Sequence, residues 1–493
     1  MNKLFLIACL LIPNLLLSQS DEKIKKTTYS TIQNNWDRFF EMLSIPNDGY
    51  DTPNIEKNII WCEETFTELG FDVERVMAES TSPMMPNHPL LIANKFISKN
   101  YKTVLIYFHM DGQPVDPSKW NQENPFIPIL SENVDGKWVE IERDKIKNNP
   151  NPDWRIFGRS TSDDKGPPMM LVNALEVLEK LNKEPKFNIK LIIDFQEEMG
   201  SPTVVSAVSL HKEKLKSDFL LIIDGPRHPS SKPTLTFGAR GISRITLTSF
   251  GPIKPQHSGH FGNYAPNPAM NLSKILSSMK DYDGRVVIPG FYDDVKNFDD
   301  NTRDDINKVP FNLSEFKSHI DINEIYGEQG YTTVERIGTR PTLDVNGIWG
   351  GYINEGAKTV LPSKAYAKIS MRLVSNQSSK KISKLFSDHL KKICPDSCKI
   401  KVTEHHGGEP CVVNTNTLGY KAAFKAFKDI WKKEPVPTFD GGSIPIVALF
   451  KKELGLDSIL MGFGLDEDAI HSPNESYGLF NFYKGIETIT AFY

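Results

Sequence analysis

Four short apolar runs in this chain stop at residues able to hold a metal ion, and that recurrence constrains the fold more than any other feature. Residues 104–108 lead into His109 and Asp111, 189–195 into Glu197 and Glu198, 219–223 into Asp224, and 459–463 run up to His471 shortly afterwards. Fully buried strands of an open, mostly parallel sheet read as continuous apolar runs, and ligands gather outside the carboxyl ends of such strands. The four ends are therefore expected to meet at one place. A fifth candidate, Asp163, sits in Gly158-Arg-Ser-Thr-Ser-Asp-Asp-Lys-Gly166, after the short run 154–157. Two histidines and several carboxylates, with no cysteine among them, suit zinc in a hydrolytic site and also admit manganese or cobalt.

At 493 residues the chain exceeds what one core usually covers, so two domains are expected. Helical spacing at Trp36, Phe39, Phe40 and Leu43, and again at Ile60, Phe66 and Leu69, precedes a strand-like stretch at 71–76. Pro167 stands where a first helical turn tolerates proline, and Leu171, Ala174, Leu175, Leu178 and Leu181 then recur at i, i+3, i+4 spacing. Strand, loop and helix in alternation predict an α/β fold, a mostly parallel sheet with helices on both faces. The pattern changes after residue 240. Residues 242–250 and 365–374 alternate apolar and polar, 269–279 and 381–393 are helical, and 398–402 is a last strand. That order predicts an inserted α+β, ferredoxin-like lid, with 281–340 as a polar insertion. The expected division is a catalytic domain at 21–240 and 406–493, and a lid and dimerisation domain at 241–405.

With 58 basic and 62 acidic side chains and no Lys/Arg-rich stripe, the chain offers no footprint for nucleic acid. Residues 1–20 combine a cationic start, an apolar stretch at 4–17 and small polar residues at the end, the pattern of a secretory signal rather than a membrane span. Export to the periplasm or beyond, with removal of 1–20, is the expectation; Leu6-Ile-Ala-Cys9 also resembles a lipobox, which would leave Cys9 as a lipidated terminus. Cys394 and Cys398 are spaced either for a disulfide or for two free thiols. No second close pair exists to build a zinc ribbon.

Taken in order, His-x-Asp after a strand, Gly-Arg-x-x-x-Asp-Asp-Lys-Gly, Glu-Glu after a strand, Asp-Gly after a strand and a late histidine resemble the M20 family of di-zinc metallopeptidases. His257-Ser-Gly259, Lys358-Thr-Val-Leu-Pro362, Ser370-Met-Arg-Leu-Val374, Gly441-Gly-Ser-Ile-Pro445 and His471-Ser-Pro-Asn-Glu475 are similar to its carnosinase-like dipeptidase branch. The resemblance implies two zinc ions per chain, bridged by Asp163, with His109 and Asp224 completing one site and Glu198 and His471 the other. A shared carboxylate holds such ions about 3.5–4 Å apart, close enough to acidify a water between them. Glu197 would be the general base and then the acid toward the leaving amine. Asp111 would orient His109 through its second ring nitrogen.

The resemblance also assigns the substrate side. His257 would reach the active site of the partner subunit in a homodimer and stabilise the oxyanion, with His260 as the neighbouring decoy. Arg372 would grip a peptide carboxylate. Thr359, Ser443, Gly442 and His406 would line the substrate pocket. Asp440 replaces the glutamate expected before Gly441-Gly442-Ser443, which bears on recognition of the substrate's amino end.

Singly, each element has an ordinary reading: a hydrogen-bonded histidine, a solvated Glu-Glu helix start, an Asp turn. Five independent turns imitating one site is the less economical account. The expected activity is hydrolysis of dipeptides or short peptides. An N-acyl-amino-acid deacylase would use the same metal centre, and a non-catalytic binding protein would be expected to have lost one of these ligands.

Overall fold

In a computed structural model of the protein, residues 2–225, 227, 232–405, 407–440 and 445–493 are described. The chain forms two compact units: Met1–Thr236, Val413–Pro437 and Leu449–Tyr493 make the first, and Phe237–Val412 with Thr438–Ala448 the second.

The first unit is built on a mostly parallel sheet. Its parallel strands lie in the order Asn188–Asp194, Thr103–His109, Phe219–Ile222, Ser458–Leu460. Leu90–Lys95 and then Asp72–Val76 extend it antiparallel beyond Asn188–Asp194. Thr103–His109 is buried from its second residue onward and Phe219–Ile222 throughout, because both faces are covered. On one face Ile106 and Phe108 join a core shared with the helices Asn2–Ser44, Gly166–Lys180 and Leu479–Phe492. Tyr107 points to the other face and meets Phe450 edge-on, ring centroids 6.0 Å apart.

The helices start where local chemistry permits. The Asp51 side chain accepts the amide of Asn54 to cap Thr52–Glu68, and Gly166–Lys180 carries proline in its first turn. The spacing of Trp36, Phe39 and Phe40 turns all three rings inward, where Phe39 stacks on Phe482 at 4.9 Å and 2°. Burying such a side chain contributes about 1.5–3 kcal/mol. Among the described residues no helix is long and apolar enough to cross a membrane.

Asp163 departs from a different sheet. The run 154–157 supplies the strand Arg155–Phe157, which pairs antiparallel with Ser476–Gly478 on one side and Ile129–Val134 on the other, with Lys137–Ile141 at the edge. The loop after this strand, not a fifth parallel strand, carries Asp163.

The second unit holds an antiparallel sheet in the order Thr342–Gly350, Lys364–Leu373, Gly241–Phe250, Lys399–Glu404. The helices Pro268–Ser277 and Ser379–Ile393 bury Leu272, Ile275, Ile382 and Phe386 against one face of it. This is the β-α-β-β-α-β ferredoxin-like arrangement. Lys364–Leu373 alternates buried and accessible positions, which places Met371 and Leu373 on the helix side and Arg372 on the other. The polar stretch 281–340 contains the helices Asp300–Ile306, Leu313–His319 and Thr333–Thr339, the last started by a reciprocal Thr332–Glu335 capping box. Cys394 and Cys398 are free thiols.

Candidate metal centre

Strand ends deliver the site's residues, and hydrogen bonds to backbone fix them. His109 is the last residue of Thr103–His109 and is 1 % exposed. Its Nε2 lies 3.1 Å from Asp163 Oδ1, while Nδ1 faces Asp111, 3.2 Å from the carbonyl and 3.4 Å from Oδ1. The other oxygen of Asp163 lies 2.9 Å from His471 Nε2, which is itself 3.2 Å from Glu198 Oε2. Asp163 thus presents one carboxylate oxygen to each histidine.

Asp111 does more than face His109. Its two oxygens accept the backbone amides of Glu197 at 2.9 Å and Glu198 at 3.0 Å, so one buried carboxylate joins the end of one strand to the Glu197–Met199 turn that follows another. Asp224 follows Phe219–Ile222 by two residues, is half-buried, and raises the pKa of both Asp164 and Glu197 through its charge.

Four further groups act here that sequence patterns did not single out. Gln113 donates to Glu198 Oε2 at 2.6 Å. Asp164, fully buried, accepts the backbone amide of His109 at 3.3 Å. Glu475 accepts Arg159 Nη1 at 2.8 Å and the amides of Ser160, Ser162 and Asp163 at 2.8, 2.9 and 3.0 Å, gathering the whole loop around one carboxylate. Asp468 receives Ser162 Oγ at 2.9 Å and pairs with Arg155. The motif ending in Glu475 was visible in sequence, but a side chain that binds backbone amides leaves no spacing pattern.

The electrostatics are those of a site short of positive charge. Burial pushes Glu197 up to about 8, with His109 opposing and Glu198, Asp111 and Asp224 adding to the rise. Burial likewise raises Asp111 to about 6 and Asp164 well above the carboxylate range. Burial also opposes the charge on Asp163, yet His109 and His471 hold it below its ordinary value. His471 is raised to about 10 by Asp163 and then Glu198. Glu198 Oε1 is buried with no hydrogen-bond partner among the described residues, and one ligand atom from each of Asp163, Glu198 and His471 lies within 4.8 Å of the others. An orphaned carboxylate oxygen inside a nitrogen and oxygen donor set fits a divalent cation such as zinc.

His257, Thr359 and Arg372 lie in the second unit. His257 pairs across to Val360, and the amide of Ser258 donates to the carbonyl of Thr359 at 3.1 Å, so His257 and Thr359 are neighbours. His257 Nδ1 accepts the amide of Gly259 at 3.1 Å, which leaves Nε2 to carry the proton of the neutral ring. His260 stands beside it, ring centroids 4.7 Å apart. Arg372 is half-buried between the strand partners Ile242 and Thr342. His406, Gly442 and Ser443 lie outside the described residues.

Residues 105–493 match peptidase family M20/M25/M40. The chain is 29 % identical to a Cys-Gly metallodipeptidase of Candida albicans over 94 % of this chain and 96 % of that one. It is 28 % identical to the human β-Ala-His dipeptidase over 87 % and 82 %. The crystal structure of human carnosine dipeptidase 1 superposes with a TM-score of 0.78 at 25 % identity, covering 97 % of this chain and 98 % of that one. An M20 family metallo-carboxypeptidase from Sulfolobus solfataricus reaches the same TM-score at 30 % identity, covering 92 % and 97 %. With the family matched across the strands and loops that carry every residue of the constellation from His109 to His471, the chain belongs to peptidase family M20/M25/M40 and is a metal-dependent hydrolase.

Proposed function

We propose that the chain is a di-zinc dipeptidase that hydrolyses dipeptides or short peptides. The observation that carries this is Asp163 spanning His109 and His471, with Glu198 at one end and Glu197 held beside it by the Asp111 clamp. The relatives named for Cys-Gly and β-Ala-His dipeptides support the substrate class. His109 and Asp224 would hold one ion, Glu198 and His471 the other, with Asp163 common to both. Zinc bound there would supply Lewis acidity at the scissile carbonyl and make water more acidic.

The chain's own residues supply the rest. The Glu197 carboxylate takes the proton of the attacking water and returns it to the leaving amine nitrogen; burial, which makes this carboxylate more basic, favours the first step. The Asp111 clamp fixes Glu197 relative to its neighbour Glu198, so base and ligand move as one turn. His257, with its proton on Nε2, is suited to donate to an oxyanion, and by family resemblance it does so in the partner subunit of a homodimer. Arg372 receives the peptide carboxylate. Residues 1–20 serve export and are removed; amino-terminal sequencing of the exported protein would then begin near Ser20, while an acylated Cys9 would establish a lipoprotein.

The deciding experiment is mass spectrometry of a mixed library, dipeptides and N-acyl amino acids together, after incubation with the zinc-loaded protein. Cleavage of dipeptides with acyl amino acids left intact is the expected result. Cleavage of the acyl derivatives alone would make the enzyme a deacylase.

A further inference from the structure

We infer that the second unit contains a binding site for a small apolar carboxylate. The site is a cavity of about 370 Å³ whose apolar wall is Phe316, Ile320, Ile322, Ile325 and Ile337 and whose lining includes Arg240. It lies within one unit, so each of its walls is fixed by that unit's own packing. The volume is in the range of small-molecule sites, which are mostly apolar with a few polar groups fixing orientation.

Charge decides the ligand's chemistry. Four cations line the cavity: Arg240, Lys280, Arg336 and Arg340. Arg340 is satisfied, its Nε and Nη2 donating to Glu328 at 2.9 and 2.7 Å, and Lys280 lies 3.5 Å from Asp344. Among the described residues Arg336 gives its donors to the carbonyls of Glu328 and Tyr326, at 2.8 and 3.3 Å. Arg240 is the extreme case. It is 7 % exposed, its Nη2 donates to the carbonyls of Arg336 and Arg340, and its Nε has no hydrogen-bond partner among the described residues. A guanidinium taken out of water without an acid partner is destabilising. Carbonyl dipoles offset only part of that, and an anion held bidentately by the planar fork would offset the rest.

The surroundings raise the demand. Thr342, a cavity residue, is paired directly with Arg372 across adjacent strands, so the two side chains share a face of the sheet. Burial, and then the like charge of Arg372, bring Arg240 down to about 10, with Asp344 opposing. The like charge of Arg372 adds to the cost of burying the Arg240 guanidinium, which an anion in the cavity would offset. The apolar wall is likewise unfinished, since Ile320 and Ile337 remain 47 % and 41 % exposed. A carboxylate on a short apolar body satisfies both ends of the cavity.

Two sources share that chemistry: the apolar C-terminal residue of a peptide, with Arg240 joining Arg372 at its carboxylate, which rests on the dipeptidase reading above, and a free medium-chain carboxylate, which does not. Calorimetric titration of the zinc-loaded protein with octanoate, N-acetyl-leucine, N-acetyl-leucinamide and acetate tests the site. The two apolar carboxylates are expected to bind at least tenfold more tightly than the amide or acetate. Arg240→Gln should remove that preference, and Ile337→Trp, which fills the cavity from a partly exposed helix position, should weaken binding at least tenfold without touching the arginine. No binding, equal binding of the amide, or an unchanged titration in Ile337→Trp would overturn the assignment. Hydrolysis then separates the sources. A rise in KM for Gly-Leu in Arg240→Gln, with kcat and the KM for Gly-Gly unchanged, identifies the peptide C-terminus; unchanged hydrolysis of both alongside lost octanoate binding identifies the free carboxylate. A protein inactive on every peptide defeats the dipeptidase reading and leaves the titration standing.

Discussion

Glu475 accepts the backbone amide of Asp163 at 3.0 Å, so the carboxylate facing both histidines is aimed by a second carboxylate that touches neither. The same Glu475 oxygens hold Ser160, Ser162 and the Arg159 guanidinium, all within a fully buried pocket. The conformation of the loop and the direction of Asp163 are therefore set together.

Replacing Glu475 tests that relation. Glu475→Gln keeps the shape but puts an amide donor against backbone N–H groups, so zinc affinity should fall roughly 10–100-fold, the usual cost of losing a group that orients a ligand. Competition with a chromophoric chelator reads it. Wild-type affinity in this variant would mean that the loop is held by other contacts.

Glu197→Gln separates metal binding from proton transfer. Its neighbour Glu198 and the Asp111 clamp on the two backbone amides remain, so metal content should match the wild type while peptide turnover falls by about two to four orders of magnitude, the worth of a positioned general base. Chelator should abolish wild-type activity and added zinc restore it. Full turnover in Glu197→Gln would remove it from the proton path.

Sharing of sites between subunits is tested by mixing. His257→Ala and Glu197→Ala should each be nearly inactive with metals bound. After subunit exchange, about half the dimers are hybrids with one intact site of two, so roughly a quarter of wild-type activity should return. Demonstrated exchange with no recovery would leave His257 acting in its own chain or outside the reaction.

The second unit has its own weak point. Glu328, 7 % exposed, accepts Arg340 through two bonds and Arg285 through a third, and Tyr292 donates to it at 3.2 Å. Glu328→Gln strands a buried guanidinium, so unfolding free energy should drop by about 3–5 kcal/mol. Denaturant titration checks it; a loss below about 1 kcal/mol would mean the ion network is neutral to stability.

The parallel sheet and the ferredoxin-like layer were legible in the sequence because each periodicity follows from burial: unbroken apolar runs where both faces are covered, alternation where one is. The ends of those runs pointed to His109, Glu198 and His471, which the structure brings together with Asp163. The strand before Asp163 was less legible, since a run as short as Arg155–Phe157 carries no information about which sheet it joins. Asp164, Gln113 and Glu475 were hidden for another reason. They act through backbone amides or single side-chain contacts between distant segments, and neither kind of contact imposes a spacing. Asp111 was visible as a partner of His109, whereas its grip on the Glu197 and Glu198 amides depends on the register of two strands.

The neighbours Phe219–Ile222 and Ser458–Leu460 pair residue for residue, Leu220 beside Ser458, although the whole second unit is threaded between them in the chain. Such a contact spans almost half of the sequence, and closing a long loop is slow even where its equilibrium cost is modest. During synthesis the first unit has to wait, with an open sheet edge at Phe219–Ile222 and without the helix Leu479–Phe492, until residues 458–492 have left the ribosome. The four-stranded sheet of the inserted unit, whose strands all lie between residues 241 and 404, is complete before that. Order of emergence thus makes the ferredoxin-like sheet the early-formed part of the molecule, and a chain cut between residues 448 and 458 retains all of the second unit while losing the strand that pairs with Phe219–Ile222.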